Sequence, residues 1–156
     1  MPSLFSADVK ITREIARLEH LSEETQKRLL PTVEDITDRI AGTARSRARV
    51  ETGKYLKSIR TRVKADATEV KGRVIAGGRG SGGAHANLLE YGTKPHGIAP
   101  RDSARLRFEL PTVGMVYARA VSHPGAPAYH TLTGALDAHR SEAQTAIAAA
   151  IEASSK

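Results

Sequence analysis

Cysteine and tryptophan are absent from this 156-residue chain, and aromatic side chains make up only 4% of it. The missing thiols exclude disulfides, Cys-ligated zinc and thiol nucleophiles. The core must be aliphatic, built from Leu, Ile, Val and much Ala. Scarce aromatics also leave no platform on which nucleic-acid bases could stack. No apolar run approaches the roughly 20 residues that a membrane-spanning helix needs, so no membrane association is expected. Met1 to Ser6 carry neither a basic segment nor a long apolar stretch, so no signal peptide is expected either.

Positive charge is abundant. Lys and Arg number 24 against 17 acids, for a net charge of +7 and a pI near 10.0. A balance of this kind favours an acidic partner, either nucleic acid or a protein surface. The length fits one domain over residues 1–156. Within it, 1–50 read as a helical region, 51–127 as a sheet with a short helix and loops, and 128–156 as a C-terminal helix.

Val9 to Ile11 read as a short strand or a helix start, and Ile11, Ile15 and Leu18 then recur at helical spacing. Ser22-Glu23-Glu24 opens a helix with a hydroxyl cap and two acids near the positive end of its dipole. Leu29, Val33, Ile36, Ile40 and Ala44 form one stripe on it to about Val50, with a kink or restart expected at Pro31. So narrow a stripe on so long a helix suggests partial packing against another chain. Thr52-Gly53 is read as its end, and Tyr55 to Ala65 then alternates as a strand. A hairpin follows: Ile59, Thr61, Val63 and Ala65 face one way, then Val70, Gly72, Val74 and Ala76 return on the core side. Its outer face carries Arg60, Arg62, Lys64, Lys71 and Arg73.

Residues 77–83 form a glycine-rich loop. Its Gly78-x-Gly80-x-x-Gly83 spacing matches a dinucleotide fingerprint but lacks the βαβ setting that the fingerprint needs. Leu88-Leu89-Glu90-Tyr91 is a short helical turn ended by Gly92-Thr93. Lys94-Pro95-His96 forms the loop beyond it. A third strand alternates Leu106, Phe108 and Leu110 with Arg105, Arg107 and Glu109. A fourth runs from Met115 to Ser122 and adds Arg119 to the cations. After His123-Pro124-Gly125, a closing helix runs from Tyr129 to about Ala153, its stripe Leu132, Leu136, Ala143, Ile147 and Ile151. The expected fold is therefore α+β: an antiparallel four-stranded sheet packed by a long N-terminal helix, a short middle helix and a C-terminal helix. One sheet face would gather Arg60, Arg62, Lys64, Lys71, Arg73, Arg105 and Arg107.

No catalytic set emerges. The six histidines include no His-x-x-x-His pair, and Ser81, Ser103 and Ser122 lack a nucleophile-elbow setting. Glu90 near His96 could form an acid–base pair, but a Glu ending an apolar turn more often pairs with an Arg or caps a backbone N–H. No enzyme, metal or cofactor is expected; a small hydrolase is the weaker rival, and it would need a metal or a concave His-rich pocket. Helix-turn-helix and zinc motifs are missing, so sequence-specific DNA readout is not expected. Arg45 and Arg49 share a helix face, with Arg47 half a turn away.

Three segments, in order, carry a resemblance. Val50-Glu51-Thr52-Gly53-Lys54-Tyr55-Leu56-Lys57-Ser58-Ile59 is similar to a Pro-Val-Asp-Thr-Gly-Arg-Leu-x-x-Ser-Ile helix-to-strand junction. Leu89-Glu90-Tyr91-Gly92-Thr93 with Pro95-His96-x-Ile98-x-Pro100 resembles a Glu-Tyr-Gly-Thr corner followed by His-x-Ile-x-Pro. His123-Pro124-Gly125 resembles the loop before the last helix. Together, over roughly residues 9–150, they resemble the neck or tail-completion proteins of long-tailed bacteriophages. Glu51, Lys54, His85 and Tyr129 depart from the usual Asp, Arg, Tyr and Phe, and the loop at 77–83 is expanded.

The resemblance implies structural work in the virion. Such proteins form a ring, expected here as a hexamer, between the head-side connector and the tail tube, and DNA passes through it. Assembly would take place in the host cytoplasm. The long helix and the corner residues Glu90, Tyr91, Gly92, Thr93 and His96 are the expected contributors to the interface. The corner's side chains could instead simply lock the loop by hydrogen bonds to backbone. The basic face would meet acidic neighbours or make non-specific contact with translocating DNA. A non-sequence-specific DNA-binding accessory protein is the alternative reading.

Overall fold

The computed structural model describes residues 9–10, 23–50, 52–66, 69–77 and 85–154. The elements are β1 (Val9–Lys10), α1 (Glu23–Arg47), α2 (Lys54–Ser58), β2 (Arg60–Ala65), β3 (Val70–Ile75), α3 (Ala86–Tyr91), β4 (His96–Ile98), β5 (Leu106–Leu110), β6 (Gly114–Ala118), β7 (Val121–His123) and α4 (Thr131–Ser154). The expected helical pattern at Ile11, Ile15 and Leu18, and the glycines at 78–83, lie outside the described residues.

Helix α1 is the spine. Its predicted stripe of Leu29, Val33, Ile36, Ile40 and Ala44 is buried, and Thr37 and Ala41 are buried beside it. The stripe is wide because α1 is covered on two sides, by α4 and by the β2–β3 hairpin. The helix runs without interruption through Pro31 and so does not restart there. It ends at Arg47, before the expected Thr52-Gly53. Those residues instead open α2, with Gly53 in the left-handed region at φ 72°. Helix α2 occupies what the alternation had suggested was the start of a strand.

The sheet differs from expectation. No four-stranded sheet forms among the described residues. Strands order β1-β3-β2 in one sheet, β4 pairs with β7, and β5 pairs with β6; all pairings are antiparallel. The expected fourth strand breaks at Arg119-Ala120, so that β6 and β7 join different partners. Period-2 alternation tells which face of a strand is apolar, but not which strand lies beside it.

Strand β3 alternates strictly, with Val70, Gly72 and Val74 buried against α1 and Lys71, Arg73 and Ile75 half-buried on the other side. At Gly72 the sheet comes close to the helix. A Cβ there would sit 2.1 Å from Thr37 Oγ1 and 2.9 Å from Val33 Cγ1. Leu132, Ala135, Ala143 and Ile147 of α4 complete the core.

Candidate interaction surfaces

Three regions stand out: the corner after α3, the outer face of β2–β3, and the β5–β6 hairpin.

At the corner, Glu90 is fully buried. Its carboxylate accepts hydrogen bonds from the backbone N–H of Leu132 at 2.9 Å, the N–H of Thr133 at 2.8 Å and the Thr133 hydroxyl at 2.7 Å. Helix α4 therefore has its first orphan donors satisfied by a carboxylate from another element, at the positive end of its dipole. The connection is doubled by backbone, as Tyr129 N–H donates to Leu89 C=O and His130 N–H to Glu90 C=O. His130 takes φ 47°, outside the usual range for a side-chain-bearing residue, just before the helix starts.

Gly92, at φ 69°, and Gly125, at φ 89°, let two segments of the chain cross at close range. A Cβ on Gly92 would lie 2.5 Å from Ala126 O, and one on Gly125 would lie 2.2 Å from Thr93 O. Between them, Thr93 and Ala126 exchange a pair of backbone hydrogen bonds at 2.9 and 3.1 Å. Tyr55 lies alongside with its phenol pushed above the ordinary 10.0, first by burial and also by the negative Glu90, while the Thr131 hydroxyl acts in the opposite direction. Its Oη makes no hydrogen bond of ordinary geometry among the described residues.

The remaining corner residues point elsewhere. Tyr91 is 60% exposed. His96 is exposed and pairs in register with His123, their rings 5.1 Å apart. Glu90 serves the α4 cap, so the structure does not bring it together with His96 as an acid–base pair. Capping of a backbone N–H was one reading of Glu90, but its partner could not be named in advance because the two halves are 42 residues apart.

The predicted basic face divides in two. Arg60, Arg62 and Lys64 of β2 are exposed, and Lys71 and Arg73 of β3 are half-buried on the same side. Arg62 stands directly opposite Arg73, and Lys64 opposite Lys71. Arg105 and Arg107 belong to the exposed β5–β6 region and not to this sheet. The arginines around the end of α1 are tied into the fold. Arg45 donates to Ile59 C=O at 3.0 Å, and Arg49 donates to the Tyr129 hydroxyl and lies over its ring.

The β5–β6 hairpin is the least supported element. None of its residues is buried, and no other described element packs extensively on it. The register puts Leu106, Phe108, Leu110, Val116 and Ala118 on one side. Leu110, Val113, Met115 and Tyr117 are exposed, Val113 by 71%.

A family model described as "Bacteriophage HK97-gp10, putative tail-component" matches residues 13–92. The chain belongs to this family. No curated protein and no solved structure matches it. The match runs from the N-terminal helical region through the Glu90-Tyr91-Gly92 corner, and it gives the chain a structural role as a bacteriophage tail component. Such a role suggests a protein of the virion without catalytic work. Among the described residues no group of His, Asp and Glu is placed to hold a metal ion, and no helix is long and apolar enough to cross a membrane.

Proposed function

We propose that this tail component is a ring-forming subunit of the head–tail joint, lying between the head-side connector and the tail tube, with DNA passing through the ring. The observation that carries the reading is the uncovered β5–β6 hairpin. A two-stranded hairpin is marginal in water unless its apolar side is packed, and here Leu106, Phe108, Val116 and Ala118 on that side are only half-buried and Leu110 is exposed. A second exposed apolar group, Leu88, Tyr91 and Tyr129, lies on different elements. Two unlike patches on one chain suit a heterologous contact, in which the hairpin of one copy covers the corner of the next and the rotation closes a ring. The occupant proposed for the hairpin is thus a second copy of this chain.

Mass measurement under native conditions, with the protein alone and with purified tail tubes, tests the reading. The expected result is a closed oligomer, expected as a hexamer, at least on the tube. The charged pair Phe108→Asp and Leu110→Asp, on the apolar side of the hairpin, should abolish it while leaving the monomer folded, since neither side chain is buried. A variant that still closes the ring, or a wild-type protein that remains monomeric on tubes, would remove the hairpin from the interface.

A further inference from the structure

We infer that the outer face of the β2–β3 hairpin is a binding site for the phosphate backbone of duplex DNA, read without regard to base sequence. The inference goes beyond the ring reading and does not require a ring.

Like charges placed directly opposite each other across two strands destabilise a sheet. This hairpin carries two such pairs in adjacent same-face positions, Arg62 with Arg73 and Lys64 with Lys71, and Arg60 extends the row. Two acids share this face at the turn end. Glu69 pairs with Lys71, and the Asp66 carboxylate accepts from Glu69 N–H at 3.0 Å. These six side chains, Arg62, Lys64, Asp66, Glu69, Lys71 and Arg73, line an open depression of about 270 Å³. Cations outnumber acids four to two among these six, and Arg60 extends the row along β2. A face that served only for solubility would intersperse the two signs and avoid the repulsion.

The composition of the face selects the partner. A protein partner is ordinarily held by an apolar or aromatic centre from which charge is depleted. This face has long cations and, at its edge, the half-buried Ile75 opposite Arg60. Phosphates need no such centre, because cations that neutralise them gain by releasing counterions. Along each strand the cations recur every second residue, roughly 6.8 Å, about twice the 3.4 Å axial repeat of phosphates on one DNA strand. With no aromatic among the described residues of the face to stack on a base, binding should be indifferent to sequence.

The test is fluorescence anisotropy of the purified chain with two 30-base-pair duplexes of unrelated sequence, between 50 and 200 mM salt. Equal affinities are expected, with a log–log salt slope of about −3 to −4 if three or four phosphates are neutralised. The double variant Arg62→Gln, Arg73→Gln should weaken binding at least tenfold at 50 mM salt and make the slope about 1.8 units shallower. The pair Arg105→Gln, Arg107→Gln should change neither quantity. Should the first pair disturb folding, Arg60→Gln with Lys64→Gln supplies the same comparison from exposed positions. Overturning results would be a strong sequence preference, a slope unchanged in both β2–β3 variants, no binding at 50 mM salt, or poly-glutamate displacing the duplex at equal charge concentration. The last would assign the face to an acidic protein. None of these would bear on ring formation, which is read by mass.

Discussion

Glu90 shows how much one side chain can hold together. It accepts three hydrogen bonds from the first turn of α4 while fully buried, and bonds to a charged acceptor are worth about 1.5–3 kcal/mol each. Glu90→Ala should destabilise the fold by about 3 kcal/mol. Glu90→Gln should cost less, about 1–2 kcal/mol, because one oxygen remains to accept while the new amide opposes an N–H. Urea denaturation would check both, and an alanine variant with an unchanged midpoint would refute the capping role. The sequence identified this residue and offered backbone locking as one of its roles. It could not name the partners, since Leu132 and Thr133 reach Glu90 only through the tertiary fold. For Gly92 and Gly125 the turns were legible. The crossing of one loop over the other, which is what forbids a Cβ at either position, was not.

Among the elements, the helices were the more legible. The stripe on α1 is a local periodic signal, and every member of it is buried. Its width was missed because coverage by both α4 and the sheet is a property of packing. Strands β2 and β3 also show the faces that alternation assigned to them. Strands β5 and β6 alternate just as clearly, yet join no larger sheet, because the pattern within a strand carries no information about its neighbours. The seven predicted cations were consequently placed on one face when they lie on two hairpins. The contact between α1 and β3 makes a sharp prediction. Gly72→Ala drives a methyl into the Thr37 hydroxyl, which is itself held to Val33 C=O at 2.6 Å. Overpacking of this kind costs about 1–3 kcal/mol. Adding Thr37→Ala should recover part of the loss in a double-mutant cycle. Strict additivity would mean that the two residues do not meet.

At the scale of the whole molecule, the chain separates its tasks. The aliphatic core and the Glu90 corner hold α1, α3, α4 and the β2–β3 hairpin together. The β5–β6 hairpin and the basic face contribute little to that core and present surface instead. Family membership makes this a tail component, and the uncovered hairpin suggests that its fold is completed by another copy. Composition pointed toward an acidic partner from the start, but net charge has no geometry. Only the register of β2 against β3 reveals the facing cations. The most direct measurement is the position and copy number of the chain in an assembled particle, by electron microscopy of virions carrying a labelled version. Several copies arranged as a ring where head meets tail are expected. Copies found elsewhere in the particle, or a single copy at that joint, would contradict it.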